Sequence, residues 1–102
     1  MSLPHKEQLG QLYALKAGFA NSMRLIDLIL LLSTQSNEAA ADGWQKVVLE
    51  NGDPLHKQII ATGLFEADVI LILTVAILSG NSVGSGFDFA IEYLKATKPL
   101  PL

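Results

Sequence analysis

Apolar residues recur along the first third of the chain at Leu9, Leu12, Phe19, Met23, Ile26 and Leu30, with Lys16 in the remaining slot. This three-four spacing keeps one helical face apolar. Pro4 suits a first turn and Glu7 complements its dipole, so the pattern predicts a long first helix reaching about Leu32. Its second half is apolar on nearly every side, because Leu25, Leu28, Ile29, Leu31 and Leu32 are interrupted only by Arg24 and Asp27. Residues 33–37 then form a polar loop rich in N-cap candidates. A short helix follows over about 38–50, with Ala41, Trp44, Val47 and Val48 on one face. Asn51-Gly52 stops it, and Asp53-Pro54 restarts the chain as an N-cap followed by a first-turn proline.

Residues 54–78 are the most apolar stretch, with Gly63 placed to bend or split it. Within it, residues 69–78 have no polar face, so a helix there must be covered all round. Their Val, Ile and Thr content would also suit a buried strand, but ten residues without a turn signal favour helix. Residues 79–86, rich in Gly, Ser and Asn, read as a loop. A last helix over about 87–97 turns Phe87, Ala90, Ile91 and Leu94 inward, and the Pro-containing residues 98–102 form an extended tail. The expected fold is therefore all-α: one domain over 1–97, two helical hairpins in the order long, short, long, short, assembled as a homodimeric bundle. At an offset of fifty residues Pro4 meets Pro54, Gln8 meets Gln58, and Glu38 with Asp42 meets Asp88 with Glu92, while the other positions mostly disagree.

Composition turns attention outward. Half of the 102 residues are hydrophobic and 17% are charged, against roughly 25% charged in ordinary soluble domains. A chain this small buries only about 60–65% of its unfolded surface, so the apolar surplus requires a partner surface or lipid. The stretch 69–87 is free of charge, but its second half is too polar for a bilayer span, and membrane insertion is not expected. The net charge of -3, without any basic cluster, excludes nucleic acid as a partner. No cysteine is present, which removes disulfides, thiolate catalysis and Cys-ligated metals, and fits a cytoplasmic setting. No basic segment followed by an apolar stretch opens the chain, so a secretory signal is not visible.

Candidate chemistry is sparse. His5 and His56 each stand in a Pro-containing helix start, but neither has a second ligand at helical spacing, and both read as exposed first-turn residues. Glu38 with Asp42, and Asp88 with Glu92, are each four apart and share a helix face. Converging, these four carboxylates would suit a divalent-metal-dependent hydrolytic or ligand-binding domain. Lys46 and Lys95 beside them point instead to solvated mixed-charge faces. Gly80, Gly84 and Gly86 lack the spacing and the lysine of a phosphate-binding loop. Arg24 and Asp27, three apart, are placed to pair with each other or across an interface.

No reaction signature emerges and no cofactor is implied. The function expected is that of an oligomeric protein-interaction module, a homodimer first, with a further protein partner as an extension. Its interface is expected at Leu25, Leu28, Ile29 and Leu32 and at Ile70, Leu73 and Ile77, where the surplus is concentrated. On this reading Leu28→Asp or Ile72→Asp disrupts folding and assembly together, whereas Trp44→Ala loosens only a short helix.

Overall fold

The apolar stripe that begins at Leu9 does not run unbroken to Leu32. In the computed structural model, which describes residues 2–48, 55–80 and 83–97, helix α1 spans His5–Ala20 and a new helix, α2, spans Leu25–Gln35. The break is a Schellman turn. Ser22 adopts φ +58, the Met23 N–H reaches back to the Gly18 carbonyl at 3.0 Å, and the Ser22 N–H reaches the Phe19 carbonyl at 3.0 Å. Serine rarely occupies this left-handed position, which is why the pattern reads through it.

Helix α3 spans Glu38–Val48, and Asn37 caps it by accepting the Ala40 N–H through Oδ1 at 3.2 Å. The 54–78 stretch is likewise two helices, α4 over Leu55–Thr62 and α5 over Ala67–Leu78. Gly63, at φ +68, makes the break there. Helix α6 spans Val83–Thr97, so Gly84 and Gly86 are helical and the loop before α6 is shorter than expected. Gly86 lies in the close approach of α6 to α5: a Cβ there would stand 3.1 Å from Ala76 Cβ. The all-α expectation holds, but the long-short-long-short order of four helices is corrected to six among the described residues, each long element having been cut by one left-handed residue. Asp53, Pro54 and the tail 98–102 lie outside the described residues.

The pairing of helices has a simple order. α2 packs on α3, and α5 on α6; α1 packs on α6, and α4 on α3. Exchanging the halves, α1 for α4, α2 for α5 and α3 for α6, leaves these four pairings unchanged but not the fifth, α4 on α5, whose exchanged pair α1 and α2 is not among the main contacts. α1 has 16 residues and α4 has 8, so the fifty-residue offset holds only where these two helices begin. Glu38 opens α3 whereas Asp88 lies inside α6, so the two carboxylate pairs fall at non-equivalent places.

The core draws on every helix. Leu12 and Leu15 of α1, Leu28, Ile29 and Leu32 of α2, Ile59 of α4, and Val69 and Leu73 of α5 meet around Trp44 and Phe87. Phe87, Ala90, Ile91 and Leu94 all point inward as their spacing predicts. Trp44 is not peripheral. It is fully buried, its ring meets Phe65 edge-on at 6.5 Å, and its Nε1–H donates to Gln11 Oε1 at 2.8 Å, so it ties α3 to α1 and to the α4–α5 turn.

Candidate interaction surface

Helix α5 packs against α6 and α4 through Val69, Leu73 and Ala76, which are buried. A 3.6-residue period that sends these three inward must send Leu71, Val75 and Leu78 outward. They are 61%, 53% and 70% exposed, and Phe89 of α6 beside them is 56% exposed. Leu71, Ile72, Val75, Ala76 and Phe89 line an open groove of about 440 Å³. The expectation that residues 69–78 are covered all round is therefore not met within one chain. Near the N-terminal end of the groove, the Tyr93 hydroxyl donates to Asp68 Oδ2, joining α6 to the start of α5.

A second apolar area lies on α2, where Ile26, Leu30 and Leu31 are exposed. It borders a crease of about 280 Å³ lined by Ala14, Ala17, Gly18, Met23, Leu28 and Leu31 among others. Of the residues expected at an interface, Leu28, Ile29, Leu32 and Leu73 are buried inside the chain's own core, and Ile70 and Ile77 are half-buried. The side chain of Leu25 lies outside the described part. The outward residues Leu71, Val75, Leu78 and Phe89 were missed. For Leu71 and Val75 a signal is present in the phase set by Asp68 and Ser79: polar residues eleven apart lie on one helical face, and 71, 72 and 75 share it.

The four carboxylates do not converge. Glu38 and Asp42 are exposed on α3; Asp88 pairs with Lys16 of α1, and Glu92 lies 3.9 Å from Lys95. Among the described residues, no three His, Asp or Glu side chains come together as a metal site. Lys16 is held above its ordinary value of 10.5, first by its hydrogen bond to Asp88 and then by that carboxylate's charge. Arg24 pairs with Asp27 along its own helix, Nε donating to Oδ2 at 2.9 Å, and the Asp27 hydrogen bond raises its pKa.

His5 is not a free first-turn residue. Its Nε2–H donates to Glu66 Oε2 at 2.8 Å, a partner 61 positions away. Gln8, fully buried, completes this junction: its Nε2 donates to the Leu3 carbonyl at 2.7 Å and its Oε1 accepts the Glu66 N–H at 3.2 Å. The Leu3 N–H in turn donates to the Leu64 carbonyl at 2.8 Å. These contacts satisfy backbone groups where the N-terminal segment crosses the α4–α5 turn, and they fix where α5 starts. The side chain of His56 lies outside the described part.

No described helix is long and apolar enough to cross a membrane. Compared with protein families, with curated proteins and with solved structures, the chain finds no match in any of the three.

Proposed function

We propose that this chain is a non-enzymatic helical interaction module that works by self-association, its smallest assembly a homodimer in a cytoplasmic setting. The observation that carries this reading is the gathering of Leu71, Val75, Leu78 and Phe89 on one face of α5 and α6, each more than half exposed in the single chain. Isolated exposed apolar residues are ordinary, whereas a contiguous cluster around a groove marks a contact surface. The groove has almost no polar lining. A small-molecule site needs a few placed polar groups to orient its ligand, so a flat apolar partner suits it better. Among the described residues, His5, Asp88 and Glu92 are engaged in separate ion pairs, and Glu38 and Asp42 face solvent on α3.

Sedimentation equilibrium or light scattering across micromolar concentrations tests the reading. A mass above the 11.0 kDa of one chain is expected. A monomer at every concentration overturns it.

A further inference from the structure

We infer that the stripe Leu71, Val75 and Leu78, with Phe89 beside it, is a two-fold contact at which a second copy of this chain docks α5 against α5. The inference rests on the self-association reading and adds to it which surface is used and in which orientation.

Spacing is the first argument. Positions 71, 75 and 78 repeat at four and three, the seam spacing by which one helix packs along another. The α2 patch, Ile26, Leu30 and Leu31, lacks such a seam, since Leu30 and Leu31 are adjacent and diverge around the helix.

Area is the second. Taking about 150–200 Å² for a large apolar side chain, the four exposures leave on the order of 400 Å² of apolar surface. A stable dimer of ordinary size covers about 800 Å² per partner, about 65% of it apolar in homodimers, or roughly 520 Å². The stripe thus supplies most of the apolar area that one copy of itself would cover.

Charge is the third, and it selects both partner and orientation. No charged residue occurs from Val69 to Gly80, so the occupant must be equally uncharged along a helix, and the chain itself carries such a surface. At its N-terminal margin stands the exposed Asp68. A net acidic margin disfavours an anionic bilayer as occupant. Two α5 helices in parallel would set one Asp68 beside the other. Antiparallel about Val75, each Asp68 lies seven residues from the centre, so the two carboxylates end about 20 Å apart at 1.5 Å per residue. An isologous two-fold of this kind places Val75 opposite its own copy.

The test uses the full chain, whose lack of cysteine makes a single introduced thiol diagnostic. In one arm, Leu71→Glu/Val75→Glu is compared with Leu30→Glu/Leu31→Glu, both pairs exposed, with helicity and cooperative melting followed alongside mass. The α5 variant is expected to weaken the dimer at least about a hundredfold, because charges are buried unpaired at the seam, while the α2 variant remains dimeric. In the other arm, Val75→Cys is expected to form a disulfide-linked dimer under mild oxidation and Leu30→Cys is not; this arm decides if the double Glu variant fails to fold. Dissociation of the α2 variant alone, or a dimeric wild type whose Val75→Cys form does not cross-link, overturns the α5 seam and leaves self-association standing. A wild type that is monomeric, whether free or sedimenting with phosphatidylcholine or phosphatidylserine vesicles, overturns both.

Discussion

Gly10 and Gly43 are both interior helical glycines, and the same change to alanine is expected to act differently on them. A Cβ at Gly10 meets nothing within 4 Å. There the substitution reduces to helix propensity, which favours alanine by about 0.8–1 kcal/mol. A Cβ at Gly43 would fall 2.7 Å from Leu64 Cγ, 2.7 Å from Cδ2 and 2.9 Å from Cδ1. The branch point itself is in the way, so rotating one methyl does not relieve the clash; the whole side chain must leave its buried seat in the α4–α5 turn. Overpacking of this kind costs about 1–3 kcal/mol. The propensity gain is common to both sites, so the two variants should differ by that overpacking cost, with Gly10→Ala above wild type and Gly43→Ala below Gly10→Ala. Urea unfolding at fixed protein concentration reads the difference, which corresponds to roughly 4–8 °C in Tm per kcal/mol for a domain near this size. Combining Gly43→Ala with Leu64→Ala should cost less than the sum of the single changes, because the second removes what the first strikes. If Gly43→Ala stabilises as much as Gly10→Ala, the close approach of Leu64 to α3 is wrong.

Trp44→Ala should cost about 3–5 kcal/mol, a large part of the roughly 5–15 kcal/mol that holds a native domain together, and Tm by circular dichroism should fall accordingly. Gln8→Ala leaves the Leu3 carbonyl and the Glu66 N–H without their partner, and should cost about 2 kcal/mol in urea unfolding. Ser22→Gly removes the strain of a left-handed serine and should raise stability by about 0.5–1 kcal/mol after glycine's own unfolded-state entropy is deducted. The raised pKa of Lys16 means that its pairing with Asp88 contributes fully below pH 10.5 and is lost as pH rises through the higher folded value. Lys16→Met should flatten that part of the alkaline unfolding curve, and salt should flatten it in the wild type too.

The elements legible in the sequence are those with two unlike faces. Residues 87–94 alternate Phe87, Ala90, Ile91 and Leu94 against Asp88, Glu92 and their neighbours, and the inward set is buried as read. Trp44 and Val47 of α3 follow for the same reason, with Ala40 rather than Ala41 fully inside. The helix breaks were legible only where the residue type announces them. Gly63 marks its own turn, because glycine is the usual occupant of a left-handed position. Ser22 does not, since the hydrogen bonds from Ser22 and Met23 back into α1 compensate a conformation its type disfavours. Long-range polar pairs such as His5 with Glu66 carry no signal in spacing at all; chain topology alone brings them together.

The proposed interface is harder to read from sequence than the core for a physical reason. Hydrophobic content says how much surface must be removed from water, but not which chain removes it. Leu28, Ile29, Leu32 and Leu73 are as apolar as Leu71 and Leu78, and the chain's own helices cover the first four while leaving the last two open. In a run whose one polar residue, Thr74, is half-buried, residue type barely separates the inward and outward faces, and the phase of the flanking polar positions must do so. Asp68 and Ser79 provide that phase for α5, and it points through Val75. The substitutions that test the proposed assembly are therefore those at Leu71, Val75 or Leu78. A charge at Leu28 would strike the folded chain before any partner arrived, and its failure would say nothing of association.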